Sequence, residues 1–493
     1  MESRRSIVRG AATENKDSIT RPGTIIAAPN REVIEGLTIS RSLKGDAVYD
    51  FLVVGAGCAG CVAAARAAGE GRRVLLLDRS DADSLGHPWV NGVERTVFER
   101  LGMDMPRGEE TMPSPLSSRL MSPSGKRFLE ITSSPTVEVR MSFFVRRLLR
   151  DAVAAGAEFR GGVKVSGPLL DGKRVAGVRT QGGEEIEARV VLDASGWEAV
   201  LRHGLPETSP VPREIDERCM VTAWREQRRF DPAEAPDVPG LLGIPPDVSV
   251  SRVGWRGGYS VLMLHWDPRE NELDILVGYD RDKSEEPAGE FVRRFLEEKG
   301  IGGRRHYGGG GLIPVRRSLD VLVDHGFLVA GDAACMVIPA HGSGVASALI
   351  AGDLAARTVS RCLREGDTGR ENLWEYAARY QRGRGALMAY FEVTRSLTAD
   401  FSPGDMDRLV GYVMTPGDVE AGLRAEPLGI DLKDAVRRLR CLRHPLFTAR
   451  FAFHAAAAVA LKKAYETYPE RYDPALLEEW RARVARARRH LEG

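Results

Sequence analysis

The chain has 493 residues, of which 43% are hydrophobic and 28% are charged. This length exceeds what one hydrophobic core needs, so two or three fused domains are expected. The 70 lysines and arginines almost balance the 69 aspartates and glutamates, which leaves a net charge of +1. A general nucleic-acid binder carries a basic excess, so nucleic acid is not an expected partner. Only six cysteines are present, too few for a disulfide framework, which favours a reducing compartment.

Residues 1–47 are polar and lack the apolar stretch of a secretory signal. We interpret this segment as a flexible N-terminal extension. Nowhere does the sequence reach the ~18 consecutive uncharged apolar residues of a membrane-spanning helix. The sequence therefore predicts a cytoplasmic protein whose contact with a membrane, if it makes one, is peripheral.

The chain changes character after this extension. Residues 48–54 form a short apolar run bounded by glycine, which predicts a buried strand. The turn Gly-Ala-Gly-Cys-Ala-Gly at 55–60 follows, then an alanine-rich helix, and residues 73–78 predict a second buried strand. A glycine-rich turn in such a βαβ unit is typical of dinucleotide binding.

Each glycine of this turn has its own predicted role. Gly55 permits the sharp turn out of the strand, Gly57 lets a pyrophosphate approach the backbone, and Gly60 lets the helix pack close to the sheet. Asp78 ends the second strand, and its carboxylate suits a ribose hydroxyl. An acidic residue here disfavours a 2′-phosphate, and therefore NADP, at this site.

The middle of the chain predicts further strands. Residues 163–191 alternate apolar and polar positions and contain two glycine turns, which predicts a three-stranded meander. Short strands separated by proline and glycine recur over 215–310. We interpret the four glycines at 308–311 as a linker. After Ser343 the pattern is largely helical to the C-terminus.

Further motifs lie where predicted strands end and helices begin. They are Gly55–Gly60, Arg140, Asp193–Gly196, the block Gly331–Gly352, Trp374–Tyr376 and Tyr380. Together they resemble the FAD-dependent oxidoreductases with the para-hydroxybenzoate hydroxylase-like fold. Within that group the sequence is most similar to the geranylgeranyl reductase family. The resemblance covers residues 48–390.

The resemblance implies an α/β fold with three parts after the extension. A Rossmann-like FAD-binding domain would comprise residues 48–200 and a return segment at 312–365. An inserted antiparallel β-sheet domain for the substrate would occupy residues 201–311. A helical C-terminal region would occupy residues 366–493.

The resemblance also carries over cofactor-binding residues. Asp332 would bind the ribityl chain of FAD, and Arg140, which precedes a helix, would contact the cofactor. Independently, Gly342 and Gly344 would let a helix N-terminus approach a planar ring, where its dipole would stabilise negative charge. The full predicted set in this part of the chain is Arg140, Gly331, Asp332, Pro339, Gly342 and Gly344.

Three residues are candidates for the chemistry beside the flavin. His341 would donate a proton during alkene reduction. Tyr259 and Trp266 lie in the predicted sheet over the substrate and would line its pocket. The family's Phe-Pro ending of this sheet segment is absent, and residues 86–92 stand near the place of its Cys-Gly element. Cys335 stands where the family usually has glycine.

The motifs favour transfer of hydride from reduced FAD to a C=C bond of a lipophilic substrate, such as an isoprenoid. Two alternatives stay open at this point. One is an FAD-dependent monooxygenase acting on an aromatic or polyketide-like substrate. The other is a non-redox cyclase or isomerase that keeps FAD reduced as an electrostatic device.

The sequence contains no second glycine-rich dinucleotide turn between a strand and a helix, so no separate NAD(P)H domain is expected. Electrons would come from transiently bound NAD(P)H, from an electron-donor protein or from a substrate. Cys58 and Cys61 form a C-x-x-C pattern, which we interpret as small residues required by the turn. A lone C-x-x-C is not a zinc site, and no metal site is predicted.

Overall fold

In the computed structural model, the described residues are 48–233, 236–284, 286–427 and 440–488. The predicted extension at 1–47 lies outside the described residues. The strands are β1 (Tyr49–Val54), β2 (Val74–Leu77), β3 (Val90–Glu94), β4 (Ser117–Met121), β5 (Phe128–Ile131), β6 (Thr136–Arg140), β7 (Glu158–Arg160), β8 (Val165–Asp171), β9 (Arg174–Thr180), β10 (Glu185–Asp193), β11 (Met220–Arg229), β12 (Val248–Val253), β13 (Ser260–Asp267), β14 (Glu272–Asp280), β15 (Arg304–Pro314), β16 (Val323–Asp324) and β17 (Phe327–Val329). The helices are α1 (Cys58–Gly69), α2 (Arg95–Leu101), α3 (Met141–Ala154), α4 (Val238–Leu242), α5 (Ala288–Glu298), α6 (Val345–Glu365), α7 (Arg370–Tyr380), α8 (Ala386–Asp400), α9 (Pro403–Arg408), α10 (Pro416–Leu423), α11 (Pro445–Glu466) and α12 (Pro474–Arg488).

The first sheet is mostly parallel. Its main strands lie in the order β16-β17-β10-β1-β2-β7, and the pairs β17–β10, β10–β1, β1–β2 and β2–β7 are parallel. β2 is apolar throughout and completely buried, as a parallel strand covered on both faces must be. Helix α1 connects β1 to β2, so the predicted βαβ unit is confirmed.

The predicted meander is also present. β8 pairs with β9 and β9 with β10, both antiparallel. The two turns contain Gly172 and Gly183, whose φ angles of 57° and 85° lie in the left-handed region. Glycine adopts this region without steric cost, which is why the two glycine turns could be located in the sequence.

The second sheet has the strand order β15-β11-β14-β13-β12-β4-β5. All of its neighbouring strands are antiparallel except β12 and β4. β4 and β5 come from the segment that the resemblance assigns to the FAD-binding domain. The second sheet therefore draws strands from both sides of residue 200, and the domain boundaries stay a prediction.

The interpretation of residues 308–311 as a linker is wrong. These glycines lie inside β15 and pair with Ala223–Glu226 of β11. An ideal Cβ on Gly310 would lie 2.5 Å from Cε3 of the Trp224 indole, so the ring occupies the space of the missing side chain. A strand without side chains has no apolar alternation, and periodicity therefore could not reveal it.

The C-terminal region is helical, as predicted. Helix α7 continues through a π-helical turn, Gln381–Gly385, into α8. Helix α11 packs against α8 and α12. Among the described helices, none is both long and apolar enough to cross a lipid bilayer.

Candidate active site

A cavity of about 610 Å³ lies where β1, β2, β10 and β17 end. Its lining includes Gly55, Asp78, Ala194 and Gly331, the residues that follow these strands or come soon after them. Residues 310–313 of β15 close the opposite side. In open α/β sheets, ligands bind at the carboxyl ends of the strands, which makes this cavity the candidate active site.

Two of the three glycines in the first turn are required by close packing, and the third leaves space for a ligand. An ideal Cβ would lie 2.2 Å from the Ala194 carbonyl oxygen if built on Gly55, and 1.9 Å from the Gly55 carbonyl oxygen if built on Gly60. A Cβ on Gly57 would meet nothing within 4 Å, and Gly57 lines the cavity. The open space at Gly57 therefore fits a pyrophosphate beside the unpaired N–H groups that begin α1.

Asp78 both holds this turn and lines the cavity. Its Oδ2 accepts a hydrogen bond from the Ala56 N–H at 2.7 Å, and its Oδ1 accepts one from the Ser80 N–H at 2.8 Å. Each carboxylate oxygen can accept a second hydrogen bond. The predicted contact with a ribose hydroxyl is compatible with this arrangement.

Asp332 also lines the cavity, directly after Gly331. Among the described residues its carboxylate has no hydrogen-bond partner, and burial raises its pKa to about 6. Gly344 packs beside it, since a Cβ there would lie 3.3 Å from the Asp332 Oδ1. A partly buried polar group that lacks a protein partner indicates a ligand or water partner. The hydroxyl groups of a ribityl chain meet this requirement, so the residues present fit FAD.

The second predicted glycine turn leads into α6. Gly342 has a φ of 76°, and Gly344 is the residue that caps the helix. Both line the cavity, and the Ser343 Oγ fastens the turn by donating to the Gly92 carbonyl at 3.1 Å. The N-terminus of α6 therefore presents its partial positive charge to the cavity.

Arg140 and Pro339 are placed differently. Arg140 is the last residue of β6 and directly precedes α3, as predicted, and its side chain is partly exposed. Pro339 is buried beside the second glycine turn. Neither is among the residues that line the cavity, so their contact with a cofactor stays a prediction.

His341 belongs to the second glycine turn but is not among the cavity-lining residues. Its Nδ1 accepts a hydrogen bond from the Ser343 N–H at 3.3 Å, and its Nε2 is buried without a partner in the described part of the chain. Burial, followed by the nearby charge of Arg384, lowers the pKa of the imidazole to about 4. The ring is therefore neutral at pH 7, and the role of His341 in proton donation stays a prediction.

The two predicted substrate residues are separated. Tyr259 precedes β13, and its hydroxyl lies near Gly342, where an ideal Cβ would be 3.5 Å from it. Trp266 is buried in the core of the second sheet, with its ring 5.4 Å from that of Phe230. An odd number of positions separates Tyr259 from Trp266, so in an extended chain their side chains point to opposite faces. Trp266 is therefore a core residue and does not line the cavity.

Both cysteines of the C-x-x-C pattern lie in the first turn of α1. Burial raises the pKa of Cys58 to about 12 and that of Cys61 well above its ordinary value. Cys335 is buried too, with a φ of 57°. That left-handed backbone explains why glycine suits this position in the family. The described residues contain no cluster of acidic, histidine or cysteine side chains that could hold a metal ion.

The sequence analysis did not identify several cavity residues. His87 and Asn91 come from the segment that stands near the family's Cys-Gly element, and Trp197 follows the Asp193–Gly196 motif. Gly311 also lines the cavity, and a Cβ there would meet nothing within 4 Å. Residues 86–92 and 193–196 stand out as motifs, but a sequence motif does not show which way the side chains in and beside it point.

Comparisons with known proteins agree with this geometry. Residues 50–204 match the family described as FAD dependent oxidoreductase. A digeranylgeranylglycerophospholipid reductase of Sulfolobus acidocaldarius is 25% identical over 447 residues, which cover 88% of this chain and 96% of that protein. The similarity therefore extends through both sheets and into the C-terminal helices.

Solved structures establish the fold. A geranylgeranyl bacteriochlorophyll reductase-like protein of Thermoplasma acidophilum superposes with a TM-score of 0.65 at 18% identity, covering 83% of this chain and 99% of that one. A flavin-dependent brominase gives a TM-score of 0.55 at 17% identity, covering 81% and 100%. The predicted α/β fold, with its FAD-binding domain and second sheet, is confirmed.

Proposed function

We propose that this chain, an FAD-dependent oxidoreductase related to the geranylgeranyl reductases, adds hydrogen across C=C bonds of an isoprenoid lipid. The observation that carries the proposal is the nearly end-to-end similarity to a lipid reductase. The cavity supports it, because its glycine turns and Asp332 have the space and polar groups that FAD requires. The same similarity favours a reductase over the monooxygenase alternative.

The protein's own residues supply binding and orientation. Gly57 and the start of α1 would hold the pyrophosphate, Asp78 a ribose, and Asp332 the ribityl hydroxyls. When bound and reduced, FAD supplies the hydride for the reduction. The N–H groups at the start of α6 favour negative charge on a ligand placed there by roughly 0.3–1 kcal/mol.

Apolar residues would keep water from the reacting bond. Leu312 and Ile313 of β15 line the cavity beside Val337 and Val345. Excluding water protects a reduced flavin from side reactions and strengthens electrostatic interactions inside the site. An aliphatic isoprenoid chain would match this apolar wall.

The electron source is part of the proposal. With one glycine-rich dinucleotide turn in the sequence, NADH or NADPH would bind only transiently, in the cavity that also holds FAD. An electron-donor protein is the other candidate. Supplying NADH, NADPH or dithionite separately to the oxidised protein distinguishes a nicotinamide donor from a protein donor.

A lipid substrate also implies contact between a cytoplasmic enzyme and a membrane surface. On α11, Leu446 is 83% exposed and Phe453 is 42% exposed. Exposed apolar side chains on a helix are a means of inserting into the headgroup region. Sedimentation of the protein with phosphatidylglycerol vesicles would test this contact.

The deciding experiment is anaerobic reoxidation of the reduced protein. The flavin is reduced with dithionite, and a geranylgeranyl ether lipid is added in phosphatidylglycerol vesicles. We expect the oxidised flavin spectrum to return as double bonds disappear, and we expect no change with the saturated phytanyl lipid as control. Reoxidation only by oxygen, accompanied by an oxygenated product, would contradict the proposal. Failure of the protein to bind FAD would contradict it too.

A further inference from the structure

Tyr259 directly precedes β13 of the second sheet and reaches the glycine turn that leads into α6. Its hydroxyl lies beside Gly342, as the 3.5 Å distance to an ideal Cβ on that glycine shows. Gly342 lines the cavity at the turn that leads into α6. Tyr259 itself is not among the residues that line the cavity, so its phenol lies at the edge of the cavity, beside this glycine turn.

The ring of Tyr259 is held in place from two sides. Its backbone N–H donates to the Asp280 Oδ2 at 3.1 Å. The guanidinium of Arg395 lies 6.0 Å from the ring centroid and pairs with the Asp280 Oδ1 at 2.7 Å. One carboxylate thus fixes the backbone of Tyr259 and also the cation beside its ring. A reacting group needs this kind of support to keep its geometry.

The hydroxyl itself is not used by the fold. Within the described residues it has no hydrogen-bond partner, whereas the buried Tyr279 hydroxyl donates to the Glu286 carbonyl at 2.7 Å. Burial raises the pKa of Tyr259 above its ordinary value, against the smaller opposing effect of Arg395. The phenol therefore keeps its proton at physiological pH and has it available for transfer.

We propose that Tyr259 is the proton donor of the reduction, an inference that rests on the proposed function. The C=C π bond breaks and two C–H bonds form. One carbon receives the hydride, with its electron pair, that reduced FAD supplies. The adjacent carbon receives the Tyr259 hydroxyl proton, and the phenolate then takes a proton from water. The alkene is reduced, FAD is oxidised, and charge balances.

Replacing Tyr259 by phenylalanine tests the role because only the hydroxyl oxygen is removed. We expect Tyr259→Phe to bind FAD with unchanged affinity and to become reduced by dithionite normally. Its anaerobic reoxidation by the geranylgeranyl lipid should be slower by about 10²–10⁴-fold, the usual contribution of a positioned acid. Its reoxidation by oxygen should stay at the wild-type rate.

Tyr279→Phe is the matched control. Tyr279 lies on β14 opposite Ser260, and its hydroxyl is bonded away from the cavity. This variant should reoxidise with the lipid as the wild-type protein does.

A binding measurement checks the position of Tyr259 separately. 3-Fluorotyrosine at position 259 should show a changed ¹⁹F resonance when FAD is added to the cofactor-free protein. The same probe at position 279 should not.

The outcomes separate the two proposals. If the wild-type protein is reoxidised by the lipid and Tyr259→Phe is equally fast, the proton-donor role is wrong and the reductase function stands. If the ¹⁹F resonance of residue 259 does not respond to FAD, the assigned position is wrong. If the wild-type protein itself is not reoxidised, both proposals fall.

Discussion

Asp332 is a titratable residue at the wall of the cavity. Its carboxylate has no hydrogen-bond partner among the described residues, and burial raises its pKa to about 6 from an ordinary 3.8. Because this pKa is higher in the folded protein than in the unfolded chain, the contribution of Asp332 to the free energy of unfolding is greatest below about pH 4. This contribution is lost as the pH rises through 6. In the cofactor-free protein at pH 7.5 the ionised carboxylate costs at most about 3 kcal/mol, because partial exposure screens it.

Replacing Asp332 by asparagine should therefore act in opposite directions on stability and on binding. The cofactor-free variant should be more stable than the wild-type protein at pH 7.5, and the difference should vanish near pH 4. FAD affinity should fall by about 10–100-fold, because a hydrogen bond to a charged group contributes about 1.5–3 kcal/mol. Thermal unfolding across pH and a fluorescence titration with FAD measure the two effects. A variant that loses both stability and affinity at pH 7.5 would show that Asp332 is a structural residue.

His341 shows what a residue type alone leaves open at this scale. A histidine in a turn beside a flavin is a reasonable acid, and the sequence supports that prediction. Burial and the charge of Arg384 make the imidazole neutral, and Arg384 reaches it from 43 positions along the chain. The environment that sets a pKa is assembled by the fold, so a sequence motif cannot supply it.

At the scale of elements, two glycines around α1 have different surroundings: one packs against a helix, and the other borders open space. Gly352 of α6 contacts α1 so closely that an ideal Cβ would lie 2.4 Å from the Ala59 carbonyl oxygen. Gly57 has open space and a φ of −83°, which alanine can adopt. Gly352 is required by helix packing, whereas Gly57 leaves space that the proposed pyrophosphate would occupy.

Alanine at these two positions should therefore have contrasting effects. Gly57→Ala should change the unfolding free energy of the cofactor-free protein by less than about 1 kcal/mol, the usual range for a helix cap, and weaken FAD binding at least about tenfold. Gly352→Ala should destabilise the cofactor-free protein by roughly 1–3 kcal/mol through overpacking. Urea denaturation and FAD titration measure both variants. Wild-type FAD affinity in Gly57→Ala would contradict the assignment of the pyrophosphate site.

The same elements show what sequence patterns can predict. The βαβ unit and the meander follow from local alternation and from glycines with positive φ, so their positions were predictable. The position of β15 was not predictable, because the apolar group that packs on its glycines is the Trp224 side chain of the neighbouring strand. Likewise, the direction in which Tyr259 and Trp266 point depends on where β13 joins its sheet.

At the scale of the whole molecule, buried charges join the second sheet to the small sheet of β3 and β6. Arg225 of β11 pairs with Asp274 of β14 at 2.5 Å and with Glu138 of β6 at 3.3 Å, and donates to the Val90 carbonyl at 2.7 Å. Burial alone would lower the pKa of the guanidinium, but the two carboxylates raise it. Its partners are up to 135 positions away, so no sequence pattern predicts the cluster.

Removing one partner of this cluster should leave a buried charge without compensation. We expect Asp274→Ala to lower the unfolding free energy by about 3–5 kcal/mol. The control is Glu297→Ala in the exposed Arg293–Glu297 pair, which should cost no more than about 0.5 kcal/mol. Replacing Arg225 and Asp274 together by leucine should recover much of the loss. Equal effects of the two single substitutions in urea denaturation would show that the buried cluster does not join the sheets.

The position of the glycine strand β15 bears on how a substrate could enter the cavity. It lies at the edge of its sheet, paired only with β11, and four consecutive residues contribute no side-chain packing of their own. Edge backbone with so little side-chain packing opens locally at small energetic cost. Local opening of this strand would give the hydrocarbon chain of the proposed lipid substrate a lateral route into the cavity, without displacement of the proposed FAD.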